Sequence, residues 1–314
     1  MLWREMSHRC WLPALLACFL WATSVAGQTG PGSTASVPSS SAPSSAGSPA
    51  QSPATPPSYR MAALAEPLAP QAATAQLRPG SAGEHPLEPA LRWAREGLLQ
   101  AEKIPDYSAT MIKRERIGGK LNDFEYTFLK VRNKPFSVYL TFMAPKTLKG
   151  REVIFVDGAN AGKMWAHGVG MEDTMFGTVS LKPEGMIAMR GQRYPLTEIG
   201  MVNLTRRLIE VAEQDRKYDE CEVKFFKGAK INDRVCTCTQ VVHPLPRRNF
   251  LFHIARIFVD DQLNLPIRYE SYDWPKKAGG PPELIEEYTY LNLKLNNGYT
   301  DLDFDIHNPK YHFR

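Results

Sequence analysis

The sequence predicts an α+β domain: a strongly curved antiparallel sheet, a half-open β-barrel of roughly ten strands, with two or three helices packed on its concave side. Short runs rich in β-branched and aromatic residues recur from Tyr107 onward, separated by Gly, Pro, Asn and Asp. The connections are too short for crossover helices, so neighbouring strands should be antiparallel. Two longer stretches, 86–103 and 199–218, carry apolar residues at helical spacing.

The beginning of the chain has two non-globular segments. Residues 1–26 predict a secretory signal peptide, because Arg4 and Arg9 precede an apolar run that ends in small residues. That run is shorter than the roughly 20 residues of a membrane-spanning helix. Residues 27–83, rich in Ser, Pro and Ala, predict a disordered linker, since they cannot bury enough apolar surface to offset ordering entropy. Residues 84–314 should form a single domain.

The export signal leaves one alternative open. Leu15-Leu16-Ala17-Cys18 loosely resembles a bacterial lipobox, which would leave the mature protein lipid-anchored through Cys18. Cleavage near Ala26 would instead release it, with no transmembrane segment in the mature chain. Either outcome predicts an exported protein of the periplasm or cell envelope.

Charge argues against a nucleic-acid partner. The formal net charge is +5, but Lys and Arg are interspersed with Asp and Glu, without a basic block. Nucleic-acid binders usually concentrate positive charge on one face or stripe.

Three cysteines follow the signal segment, namely Cys221, Cys236 and Cys238. On a strand, Cys236 and Cys238 point to one face, which favours packing as small buried residues. A disulfide from Cys221 to Cys236 or Cys238 is an alternative that an extracytoplasmic compartment would permit. A metal or redox role is a third, although the spacing matches neither CxxC nor a zinc knuckle.

The first half of the domain begins with a helix over 86–103, which Pro105 ends. A hairpin with a Gly118-Gly119 turn follows, joining strands over 107–117 and 121–131. Three further strands are predicted next, over 137–142, 152–156 and 164–167.

The stretch from Gly168 to Gly200 lacks a sustained period and is a candidate lid or binding loop. Its methionines offer adaptable apolar surface: Met171, Met175, Met186 and Met189. Ordinary packing under a long loop is the alternative.

The second half is a helix over 199–218 and then strand after strand. Asp301-x-Asp303-x-Asp305 lacks the Gly and Glu of a calcium-binding EF-hand loop. Its alternation with apolar residues predicts a final strand instead.

The motifs of common catalytic and metal sites do not occur in the sequence. HxxxH, HExxH, GxSxG and Walker patterns are missing, and the adjacent Glu286 and Glu287 would face opposite sides of a strand. We therefore assign no catalytic residue, no metal ligand and no cofactor. An enzyme would need residues that converge only in the fold.

Aromatic residues are the more informative feature, because most lie on predicted strands. A curved sheet has a concave apolar face that either packs helices or holds an apolar ligand. Tyr139, Phe142, Phe155 and Trp165 are predicted to form the wall of such a cavity.

Three blocks carry a resemblance that covers Leu87 to Phe313. They read DYSATMIKRERIGGK, KVRNKPFSVYLTFMAPKTLKGREVIFVDG and EEYTYLNLKLNNGYTDLDFDIHNPKYHF. They resemble DUF1571, a family of exported bacterial proteins of unknown function. More distantly, Tyr107-Ser108-Ala109, Arg132 to Tyr139 and Asp301 to Pro309 resemble motifs of the LolA/LolB/RseB-like lipoprotein-carrier superfamily. That resemblance implies a half-open barrel lidded by helices, with a cavity for acyl chains.

Three function hypotheses follow. The first is a non-catalytic carrier or sensor that binds lipid or lipoprotein acyl chains. The second is an envelope protein-protein interaction module whose core is filled by its own helices. The third is an unrecognised hydrolase.

Overall fold

The computed structural model describes residues 80–81, 83–168 and 177–313. The predicted signal peptide, with Cys18, lies outside the described residues, and so does nearly all of the predicted linker. No helix in these three ranges is long and apolar enough to span a bilayer.

One antiparallel sheet of twelve strands organises the fold. The order is β7-β6-β5-β4-β3-β1-β12-β11-β10-β9-β8, and the two-residue β2 pairs with β1. In the described structure the edge strands β7 and β8 do not pair with each other, so the sheet is open. The strands are β1 (Asp106–Ile117), β2 (Lys120–Leu121), β3 (Glu125–Asn133), β4 (Phe136–Ala144), β5 (Glu152–Val156), β6 (Met164–His167), β7 (Thr178–Leu181), β8 (Glu222–Ile231), β9 (Arg234–Val242), β10 (Ile254–Asp260), β11 (Pro266–Asp273) and β12 (Glu283–Leu295). The predicted fold class is confirmed.

Two helices cover one side of this sheet, which we call the helix face. They are α1 (Glu88–Ala101) and α2 (Met201–Asp215). Their apolar sides pack on each other and on the buried side chains of β9 to β11 and of β1, β3 and β4. Both helices were predicted from their apolar spacing.

The opposite side of the sheet is covered over β3 to β5 by the segment Tyr299–Phe313, the strap, and we call this side the strap face. The Tyr311 ring stacks on Tyr139 with 4.0 Å between centroids, and Phe304 is buried beside it. Lys130 Nζ lies 2.6 Å from Asp303 Oδ1 and within 6 Å of three tyrosine rings.

The predicted final strand in this segment is wrong. Asp301–Phe304 forms a 3-10 turn, because Thr300 and Asp303 satisfy each other's backbone amides in a capping box. The acidic residues that suggested alternation are used for ion pairs with the sheet: Asp303 with Lys130 and Asp301 with Arg132.

The start of α2 is fixed on the central strand β1. Gly200 precedes the helix with φ +106° and ψ 159°, a conformation essentially restricted to glycine. The buried Tyr107 hydroxyl accepts a hydrogen bond from the Met201 N–H at 3.0 Å. A Cβ at Gly200 would lie 2.9 Å from this hydroxyl oxygen.

We therefore expect Gly200→Ala to lower the free energy of unfolding by about 3 kcal/mol, since backbone strain and a displaced capping hydroxyl add together. The matched control is Gly118→Ala, where φ is +56° and a Cβ would meet nothing within 4 Å. It should cost about 1 kcal/mol. Chemical denaturation measures both, and equal losses would mean that the Tyr107 contact contributes nothing.

Candidate functional site

An apolar cavity of about 90 Å³ lies between α1, α2 and the helix face of β9 to β11. Its lining is almost entirely apolar and includes Leu91, Trp93 and Ala94 of α1, Leu208, Val211 and Ala212 of α2, and Val241, Phe252, Ala255 and Ile257 from the sheet side. Trp93 is fixed at one wall, because its Nε1–H donates to Asn264 Oδ1 at 2.7 Å.

Small side chains at facing positions explain the cavity. Ala90 and Ala94 of α1, Ala212 of α2 and Ala255 of β10 all line it. Protein interiors are otherwise close-packed, and larger residues at these positions would fill the space. The four alanine methyl groups thus lie where the two helices and the sheet meet.

One carboxyl group interrupts this lining. Asp215, the last residue of α2, lines the cavity with only 3% of its side chain exposed. Its Oδ2 lies 3.4 Å from Nε2 of His243, which directly follows β9 and is fully buried. The His243 ring stacks on Phe250 with 3.9 Å between centroids.

The hydrogen bonds fix the histidine tautomer. His243 Nδ1 lies 3.1 Å from the Phe252 carbonyl oxygen, which can only accept, so Nδ1 carries the proton and Nε2 is bare. Burial lowers the pKa of His243 to about 4 and raises the pKa of Asp215 to about 7. Near neutral pH the histidine is therefore neutral, and the contact is not an ion pair.

A nearby thiol is not activated. Burial, reinforced by the charges of Asp215 and Asp219, raises the pKa of Cys221 to about 11. The thiolate is the nucleophilic form of cysteine. Cys221 is thus protonated at neutral pH and unsuited to nucleophilic attack.

A second group of buried polar residues lies on the helix face of β1 and β12. Glu115 and Glu286 are register partners and both are buried. Arg193 Nε donates to Glu286 Oε2 at 2.7 Å, and the Tyr194 hydroxyl donates to Oε1 at 3.1 Å. The Tyr288 hydroxyl donates to Glu115 at 2.5 Å. Burial raises the pKa of Glu286, and the Arg193 charge opposes that shift.

This charged group anchors the end of the predicted lid. Met186 is 86% exposed and Met189 is half-buried, whereas Met171 and Met175 lie outside the described residues. Arg193 and Tyr194 attach the end of this segment to β12 through Glu286, in addition to the pairing of β7 with β6. The lid itself stays a prediction.

The four predicted wall residues do not share one face. Tyr139 lies on the strap face under Tyr311, and so does Trp165, the register partner of Ile154. Phe142 and Phe155 lie on the helix face, by their pairing with Thr127 and Val138. The cavity between the helices and β9 to β11 is lined by other residues.

The residues that the sequence reasoning missed are Asp215 and His243. A signal was available for Asp215, which falls four positions after Val211 on the apolar side of α2. A carboxylate on an apolar helix face is costly unless it has a role or a partner. His243 gave no comparable signal, because its environment depends on Phe250 and Phe252 folding back over it.

Cys221, Cys236 and Cys238 are free thiols in the described part of the chain. Cys236 and Cys238 pack together in one apolar cluster, as small buried residues, and Cys221 packs in another. Within the described ranges, no group of three or more His, Cys, Asp or Glu side chains is arranged to hold a metal ion.

The Asp215–His243 pair gives a prediction about pH. Folded Asp215 keeps its proton up to about pH 7 but unfolded Asp loses it near 3.8, so its contribution to the free energy of unfolding falls as pH rises between those values. His243 contributes the opposite trend between about pH 4 and 6.5. The two trends offset each other in the wild type.

Asp215→Asn removes only the falling trend. From pH 4.5 to 6.5 we expect the stability of this variant, relative to wild type, to rise by about 2.5 kcal/mol in urea denaturation. Glu210→Gln, on the exposed side of the same helix, should run parallel to wild type. Parallel curves for Asp215→Asn would show that Asp215 titrates normally.

The anchor of the predicted lid gives a second prediction. Arg193→Ala leaves Glu286 buried without its cation and should lower the free energy of unfolding by about 2 kcal/mol, less than a fully buried pair because Arg193 is 31% exposed. It should also speed proteolysis within 177–192. Adding Glu286→Gln should recover part of the lost stability, because no uncompensated charge remains. Additive losses would contradict this role.

Solved structures with low sequence identity resemble the chain. A LolA superfamily protein from Nitrosomonas europaea has 10% identity over 68% of this chain and 97% of its own, with a TM-score of 0.29. The Mycobacterium tuberculosis lipoprotein LppX has 12% identity over 69% and 100%, with a TM-score of 0.38. For MucB the values are 13% identity, 73% and 64% coverage, and a TM-score of 0.42.

Comparison of the sequence with curated proteins and with family models gives a family match. No curated protein matches the chain. A family model described as a protein of unknown function, DUF1571, matches residues 104–313, which include all twelve strands, α2 and the strap. That match covers well over half of the chain, as the three sequence blocks predicted. The chain belongs to the DUF1571 family.

Proposed function

We propose that this protein is a non-catalytic extracytoplasmic carrier or sensor that binds the acyl chain of a lipid or lipoprotein between its two helices and the sheet. The observation that carries the proposal is the apolar cavity between α1, α2 and β9 to β11. Ligand sites are typically concave and mostly apolar, with few polar groups. This cavity has that composition, with Asp215 at its edge.

The size of the cavity defines how such a ligand would bind. About 90 Å³ is well below the roughly 300–1,000 Å³ of ordinary ligand pockets. An acyl chain would therefore have to separate the helices from the sheet and insert between them. The apolar surface that this separation uncovers would be covered again by the acyl chain rather than by water, so the exchange costs little free energy.

The polar contacts between the helices allow that separation. Arg216 of the α2 end pairs with Glu88 of α1 at 3.0 Å, and Arg206 pairs with Glu102 at 2.5 Å, in side chains that are all partly exposed. Exposed ion pairs contribute only about 0–1 kcal/mol each. The helices are held to each other and to the sheet mainly by apolar packing, and an acyl chain would pack against the same apolar surface.

The predicted wall residues keep a place in this proposal. Phe142 and Phe155 lie on the helix face, the same side of the sheet as the cavity, but on β4 and β5, several strands away from it. Tyr139 and Trp165 lie on the strap face, so a role for them requires a second contact surface. Trp165→Ala tests that requirement directly: unchanged acyl-probe affinity in a folded variant would remove Trp165 from the site.

The test of the proposal is to fill the cavity. Ala212→Leu adds apolar volume inside it, and we expect at least about tenfold weaker binding of a fluorescent acyl-chain probe, together with unchanged or higher thermal stability. The control is Ala159→Leu, the same change at an exposed turn position. The control should bind like wild type.

Native mass spectrometry of protein from its own envelope fraction, with organic extraction, identifies the natural occupant. A stoichiometric lipid or acylated peptide would support the carrier class. Protein that is empty and also fails to bind the probe would contradict acyl binding. That result would favour the envelope interaction module with a filled core.

A further inference from the structure

The Asp215–His243 pair leaves hydrogen-bonding capacity unused at the end of the cavity. In the described structure, the polar contact of the Asp215 carboxyl is His243 Nε2 at 3.4 Å. That distance is long for an O–H···N hydrogen bond, and Nε2 has no hydrogen-bond partner despite its complete burial. Buried polar atoms without partners are rare in proteins and call for an explanation.

Above about pH 7, where Asp215 is ionised, both groups can only accept hydrogen bonds. His243 Nε2 carries no proton, because Nδ1 donates to the Phe252 carbonyl. An ionised Asp215 carboxylate can likewise only accept. Neither side chain can then donate a hydrogen bond to the other. A hydrogen-bond donor from a ligand, placed between them or beside Asp215, would complete the site.

Resting on the proposed function, we propose that Asp215 and His243 form a head-group site, and that the protein selects single-chain lipids whose head group donates hydrogen bonds and carries no negative charge, such as the hydroxyls of a monoacylglycerol. The acyl chain would occupy the apolar lining, and a hydroxyl would donate to Asp215 or His243. A fatty acid anion would place a second negative charge beside the Asp215 carboxylate. Like charges brought together in a desolvated site strongly oppose binding.

The neighbouring charges do not compensate for this repulsion. Arg216, the next residue in the chain, is directed to Glu88 and Glu213, both at 3.0 Å. Glu220 pairs with Arg247, and Asp219 is almost fully exposed. Cys221 is a protonated thiol, and His253 Nδ1 contacts the His243 carbonyl oxygen rather than the carboxyl group. Asp215 therefore determines the charge at this end of the cavity.

Calorimetric titration with two probes of equal chain length tests the inference: 1-monolauroylglycerol and laurate. At pH 8.5, where Asp215 is ionised, wild type should bind the glycerol ester at least tenfold tighter than laurate. At pH 5.5 Asp215 is protonated and can donate to the laurate carboxylate, so the ratio of affinities should shrink toward one.

Asp215→Asn supplies the matched variant, because the amide keeps the shape of the side chain, carries no charge and can donate. Its affinity ratio at pH 8.5 should resemble that of wild type at pH 5.5. The control is Glu210→Gln on the exposed side of α2, which should keep the wild-type ratio at both pH values.

The outcomes distinguish failure of the head-group site from failure of acyl binding. Equal wild-type affinities for the two probes at pH 8.5, or a ratio that Asp215→Asn leaves unchanged, would overturn the head-group site while acyl binding stands. Binding of neither probe at either pH would overturn the proposed function, and the inference with it. If Asp215→Asn does not fold, the wild-type comparison between pH 8.5 and 5.5 decides alone.

Discussion

A single open sheet has two faces to bury, and this requirement shapes the rest of the molecule. The helices α1 and α2 cover one face and the strap covers part of the other. Neither cover would be stable alone, because short helices and turns gain most of their stability from packing. Tyr107 connects the sheet with the helix that covers it. Its ring lies in the core, and its hydroxyl accepts a hydrogen bond from the first turn of α2.

The helix face combines two different environments. Over β9 to β11 it is apolar and incompletely filled, as the proposed exchange of apolar packing with a lipid chain requires. Over β1 and β12 it carries buried carboxylates that are satisfied by Arg193 and by tyrosine hydroxyls. Buried ion pairs contribute little net stability but strongly penalise alternative arrangements. The second region therefore fixes the position of the segment after β7, while the first leaves room for change.

Sequence reasoning predicted the fold better than the site, for a physical reason. Strand and helix periodicities are local, so the hairpin at Gly118-Gly119, the stripe of α2 and the fold class could all be predicted. The cavity depends instead on which alanines meet across three elements, and periodicity says nothing about that. Tyr139 and Phe142 were grouped by aromatic character although their odd spacing places them on opposite faces. The strap was mistaken for a strand because the capping role of Asp303 imitates alternation.

The pairing of the central strand β1 with β12 affects the order in which the protein folds. β1 pairs with β12, so that Tyr107 and Leu295 are register partners although nearly the whole domain lies between them. Pairings between such distant parts of a chain form late and slowly, because the entropy of closing the long loop must be lost first. The pairing of β1 with β12 cannot form until β12 is available, whereas β1 can pair with β3 earlier. For the exported protein that we propose, this order of events would leave the central β1–β12 pairing unformed until nearly all of the chain has crossed the membrane.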